Sequence, residues 1–198
     1  MNLDLYDKPL EKQLKELKKI ILSNKKIVFI LEKLQEYNLD NYYLGAGCVS
    51  QTVFNYYHGY DIESNINDYD IVYFDNDLTY EKEDKIIKEI KLICNEIDVK
   101  LDIKNQARVH LWSLKSLGRQ IKQIYSLEEA VRGWGTTVTC IGVKLKDKEL
   151  EIFAPYGLND LFGLKIIPLK DNIPKEVYLN KSKKWKEKWP LLNIYEWK

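Results

Sequence analysis

The segment Asp68-Tyr69-Asp70-Ile71-Val72-Tyr73-Phe74 sets five apolar residues around two carboxylates. Side chains alternate along a strand, so Asp68 and Asp70 share one face, and the apolar density marks a largely buried strand. Such a strand has to be covered, and the flanking sequence supplies the cover. From Lys8 to Tyr37, apolar residues from Leu10 to Leu34 recur at three- and four-residue steps, which predicts two amphipathic helices with a break at Ser23-Asn24. Tyr42 to Ala46 reads as a short strand ending in Gly45-Ala46-Gly47, followed by a helix to about Gly59. A charged amphipathic helix is expected over 80–96, an extended segment over 99–111, and further strands over 136–145 and 150–154. Pro168, Pro174 and Pro190 predict only short regular structure after about Ile166. The expectation is an α/β fold, more strictly α+β: one domain over 1–198 with a small mixed sheet flanked by helices. Within it, 1–40 form a helical layer, 41–165 the core and 166–198 a tail packed on the core.

Bulk properties narrow the partners. The 198 residues, 45% of them hydrophobic, suffice for one buried core. Thirty-one Lys plus Arg against 30 Asp plus Glu leave a net charge of +1, so no whole-protein field draws nucleic acid or an anionic membrane. Cys48, Cys94 and Cys140 lack zinc-site or disulfide spacing and read as free thiols. The charged N-terminal stretch and the absence of a long apolar run point to a soluble, cytoplasmic protein without a membrane partner, and no obligate protein partner is readable.

Two like charges on a buried strand need a cation or hydrogen-bond donors, and a hard divalent ion with oxygen ligands meets that need. Magnesium is the expected cofactor, with manganese as an alternative; the competing reading is that Asp68 only ends a loop. Gly45 and Gly47 let the backbone approach a ligand, and the following helix offers unpaired N–H groups to a phosphate. The turn has neither the third glycine of a dinucleotide-binding fingerprint nor the GK[ST] of a P-loop. Ser50 and Gln51, in the first turn of that helix, are candidate phosphate contacts, and capping the helix is an equal reason for Ser50. In 101–111, Asp102, Lys104, Gln106, Arg108 and His110 share one strand face. Asp102 is the third candidate carboxylate, and Arg108 a candidate triphosphate ligand or the partner of a structural carboxylate. Trp185 and Trp189, four residues apart among lysines, favour anchoring of a helical face over nucleic-acid binding.

A glycine turn, a helix, a strand carrying DxD, a second helix and a strand with one further carboxylate resemble the nucleotidyltransferase core of the DNA polymerase β superfamily. More narrowly, GAGCVSQTVFNYYHG, NDYDIVYFDNDLTYEKED, KNQARVHLW and APYGLNDLFGL, between Leu44 and Leu164, look like a bacterial family of nucleotidyltransferase-like proteins of unassigned physiological substrate. The resemblance implies Gly47 as the motif glycine and Asp68, Asp70 and Asp102 as catalytic, metal-binding carboxylates. It also implies two-metal, in-line attack of a hydroxyl acceptor at the α-phosphorus of an NTP. The acceptor, whether RNA, protein or a small molecule, is not encoded. Asp102 replaces the glutamate common in relatives, Cys48 stands where glycine or serine is usual, and the Gly47-to-Asp68 interval (68 − 47 = 21) is long. An inactive nucleotide- or RNA-binding module and a metal-dependent phosphohydrolase are the alternatives.

Overall fold

In a computed structural model, described for residues 4–198, α1 (Leu10–Ser23) and α2 (Lys25–Glu36) are parted by the single residue Asn24. Its Oδ1 accepts the Ile27 N–H at 3.1 Å and caps α2, while its Nδ2 donates to Thr52 Oγ1 at 3.0 Å. The helix break therefore falls where the sequence suggested, on a residue able to satisfy the orphan donors of a new helix.

The chain then alternates strands and helices: β1 (Tyr42–Gly45), α3 (Gly47–His58), β2 (Tyr69–Tyr73), α4 (Tyr80–Ile93) and β3 (Leu101–Asn105). After α5 (Val109–Leu117) and α6 (Leu127–Arg132) it closes a hairpin of β4 (Gly142–Lys146) and β5 (Glu149–Phe153). Asp147 and Lys148 both have positive φ, the conformation that lets a two-residue turn follow the twist of its strands. The five strands form one mixed sheet in the order β3-β2-β1-β4-β5, parallel only between β2 and β3, as expected of a small mixed sheet flanked by helices.

One sheet face carries Leu44, Ile71, Tyr73, Ile103 and Val143 into the main core, against Leu17, Ile21, Ile30, Leu34, Val53 and Ile90 of α1 to α4. The other face is covered only in part. There Tyr43 and Val72, opposite each other in the register, pack with Leu127 and Val131 of α6. Since Asp70 and Val72 are two residues apart, the uncovered stretch of this face is where the Asp70 carboxylate emerges.

Three expectations are corrected. The extended segment ends at Asn105, not Leu111: Asn105 Oδ1 accepts the Ala107 N–H at 3.1 Å and starts a 3-10 turn (Gln106–Arg108) that leads into α5. The tail holds a 14-residue helix, α8 (Lys175–Lys188), because Pro174 sits before its first turn and Pro190 beyond its end, positions that bracket a helix without breaking it. The predicted strand over 136–145 starts only at Gly142, since the N–H groups of Thr139 and Cys140 turn back to the Thr136 carbonyl, both at 3.1 Å. A short helix, α7 (Asn159–Phe162), and a parallel pair, β6 (Lys165–Ile166) with β7 (Asn193–Ile194), complete the tail side. Trp189 is fully buried edge-on to Phe54, and its Nε1 donates to Asn55 Oδ1 at 2.7 Å, so the anchoring role read for it holds. No helix among the described residues is long and apolar enough to cross a membrane.

Candidate active site

Register brings the three carboxylates together at one end of the sheet. Asp70 lies opposite Gly45 on β1 and opposite Asp102 on β3. Asp68 stands one residue before β2, in the connecting loop, so the strand is shorter than the sequence suggested while its side-chain parity is kept. Direct opposition of like charges in a sheet is unfavourable without compensation. Lys104 supplies part of it through an ion pair with Asp102 Oδ2, and Lys100 Nζ lies 3.9 Å from Asp68 Oδ2.

Asp70 has no such partner. It is half-buried, and nothing donates a hydrogen bond to its carboxylate among the described residues. Burial first, then the charges of Asp68 and Asp102, push its pKa up to about 6, against a smaller opposing pull from Lys104 and Lys181. Lys181, on α8, is thus a positive charge near enough for Asp70 to feel it weakly. An unpaired, half-buried carboxylate beside two others is a donor set of hard oxygens, which fits magnesium. As placed, no group of three or more His, Cys, Asp and Glu side chains among the described residues encloses a metal position, and lysines occupy the outer oxygens of Asp68 and Asp102.

The wall facing Asp70 is the turn into α3. Its left-handed residue is neither glycine but Ala46, at φ 57° and ψ −126°, a conformation that is costly for any residue with a Cβ. The strain lets the chain pass from β1 into α3 through one residue. Replacing Ala46 with glycine is expected to raise stability by about 1 kcal/mol, strain relief outweighing the added chain entropy, whereas Ala46→Val lowers it by more than that. Urea denaturation of the two variants measures both signs; a less stable Ala46→Gly would refute the strain.

Gly45 is needed for close approach: a Cβ there would collide with the Ile141 carbonyl oxygen and lie 3.0 Å from Trp134 Cη2. Ala46 offers no side-chain cap, so the first-turn N–H groups of α3 lack the usual oxygen acceptor beside the carboxylates. Gln51 is buried with its Oε1 unpaired, and its Nε2 lies 3.0 Å from where a Cβ of Gly47 would stand, which keeps the amide over the glycine. Cys48 is fully buried. Burial and then the Asp70 charge hold its thiol well above the usual range, which makes it a packing residue and no nucleophile.

Two candidates are removed from the ligand set. Ser50 is buried and its hydroxyl donates to Ala46 O at 3.2 Å and Gly47 O at 3.3 Å, so it neither caps the helix nor faces a phosphate. Arg108, displaced from the strand face by the 3-10 turn, is buried in an ion pair with Glu83 and donates through Nε to Leu78 O at 3.0 Å. Of its two sequence readings, the structural pairing is the one observed.

A nucleotidyltransferase family profile matches residues 32–194, spanning the whole arrangement. The chain belongs to this nucleotidyltransferase family. The fold of this nucleotidyltransferase is similar to that of a solved structure described as an NMR structure that reveals a CCA-adding enzyme head domain. The TM-score is 0.73 with 22% identity, over 90% of this chain and 95% of that one. At that identity the likeness speaks for the fold. No curated protein matches the nucleotidyltransferase in sequence.

Proposed function

We propose that this nucleotidyltransferase transfers a nucleoside monophosphate from an NTP to a hydroxyl acceptor, with Asp68, Asp70 and Asp102 holding magnesium. The observation that carries the reading is the half-buried Asp70 carboxylate without a donor, set between Asp68 and Asp102 and opposite an uncapped helix start. Magnesium, when bound, neutralises triphosphate charge and lowers the pKa of a coordinated hydroxyl.

The remaining work falls to the chain. Asp70 and Asp68 would hold the ion from the β2 side, and the first turn of α3 with the Gln51 amide meets the triphosphate oxygens from the other. Gly45 and Gly47 add no Cβ of their own to that approach. Asp102, whose Oδ2 is engaged by Lys104, would offer Oδ1 to the ion, and the acceptor proton leaves to water. The acceptor oxygen then forms its bond to the α-phosphorus as the bond to the bridging oxygen breaks, and pyrophosphate leaves.

The test is incubation of the protein with each α-labelled NTP, magnesium and a cell extract as acceptor source. Label on a discrete acceptor is the expected result. Nucleoside monophosphate released without a labelled acceptor would mean hydrolysis, and NTP binding with neither outcome would mean an inactive binding module.

A further inference from the structure

Trp134 is one of five tryptophans and belongs to no motif of the family resemblance, yet it reaches the site. Its Cη2 lies 3.0 Å from where a Cβ of Gly45 would be, and Gly45 faces Asp70 one strand spacing away, about 5 Å. On the other side Gly45 pairs with Gly142, over which the Tyr43 side chain lies, so the indole edge rests on the sheet between Tyr43 and the carboxylate strand. The loop bearing the ring is clamped. Asn172 Nδ2 donates to both the Arg132 and Trp134 carbonyls at 3.2 Å, and Ile173 fills the space beside Gly135.

A tryptophan that merely fills a core is expected to look like Trp189, fully buried with its N–H satisfied. Trp134 packs against the cluster of Tyr43, Val72, Leu127 and Val131 and remains partly open. A rigidly held, partly open indole beside a phosphate cradle offers a planar apolar surface to a planar ligand, and the part of an NTP that is planar and apolar on its faces is the base.

We propose that Trp134 is the nucleobase platform of this site, a subsite that takes the heterocycle of the incoming nucleoside triphosphate by stacking. The inference rests on the reading of the site as an NTP site. Stacking is tolerant of base identity because every base has a π-face, so the platform accepts all four bases and ranks purines above pyrimidines.

The experiment is calorimetric titration, in magnesium, of ATP, UTP and inorganic tripolyphosphate into wild type, Trp134→Ala and Trp134→Phe. Wild type is expected to bind ATP more tightly than tripolyphosphate. Trp134→Ala should lose ATP affinity on the order of tenfold while keeping its tripolyphosphate affinity, and Trp134→Phe should keep most of both. The ATP-over-UTP preference should shrink in Trp134→Ala. Unchanged ATP binding in Trp134→Ala, or equal losses for ATP and tripolyphosphate, would overturn the platform and leave the triphosphate site standing. Failure of wild type to bind either compound would overturn the NTP reading, and the platform with it.

Discussion

Asp70→Asn is expected to abolish label transfer while making the ion-free protein more stable at pH 7.5. The loss of activity follows from removing the central carboxylate of the three. Several kcal/mol of transition-state stabilisation, at 1.36 kcal/mol per tenfold, amount to a fall on the order of a thousandfold. The gain in stability follows from the same unpaired charge. The pKa of Asp70 is higher folded, at about 6, than in an unfolded chain, roughly 3.9. Below pH 4 the group is protonated in both states and costs nothing; as pH rises through 6 the folded protein comes to carry the charge at full cost. With allowance for solvent at a half-buried group, that cost is about 2 kcal/mol. Denaturation with chelator present should show Asp70→Asn ahead of wild type at pH 7.5 and level with it near pH 4. Wild-type transfer by the variant would refute the site; wild-type stability at pH 7.5 would refute the electrostatic account.

Arg108→Ala carries the largest expected loss of stability, about 3 to 5 kcal/mol, because it strands the buried Glu83 carboxylate. In a chain of this length that corresponds to a melting temperature lower by roughly 6 to 20 °C. The pair is one part of a clasp: Glu83 Oε1 accepts the Asn105 N–H at 2.8 Å, and Asn105 Nδ2 donates to the Asp75 carbonyl at 2.9 Å. The clasp ties the end of β3 to the loop between β2 and α4, and so holds the two carboxylate-bearing strands in register. Replacing both Glu83 and Arg108 by leucine should recover part of the loss, since no charge is left buried alone. Thermal melts followed by circular dichroism measure both variants. A melting temperature within a degree or two of wild type for Arg108→Ala would mean that the pair contributes nothing.

The parts of the fold that could be read from the sequence were those in which pattern and chemistry agree. Asn24 interrupts a helical periodicity with a capping residue, and Asp68 to Phe74 combines strand parity with apolar density, so helix break and central strand both fell near their places. The end of β3 was hidden because Ile103, Ala107, Val109 and Leu111 continue a two-residue alternation across a turn made by the Asn105 side chain, and periodicity does not register a side-chain cap. Arg108 was misplaced by the same turn. In the tail, prolines read as breakers turned out to bracket α8. The nearness of the carboxylates to one another, and of Gln51 to the glycine turn, was legible through the spacing of the turn and the two strands. Trp134 was not, because it reaches Gly45 from a loop almost ninety residues later in the chain (134 − 45 = 89).

The docking of Trp189 against Phe54 and Asn55 has a kinetic meaning. That contact spans 134 residues of sequence, and the Leu191 N–H donates to His58 Nε2 at 2.9 Å across a similar interval. Closing loops of this length must precede any reward from the contacts they bring, which slows folding, although the closure cost grows only with the logarithm of the separation. Since α3 is pinned by these late residues, the helix whose first turn faces Asp70 should be among the last elements to gain full protection from hydrogen exchange, after the hairpin of β4 and β5 and the pair of N-terminal helices.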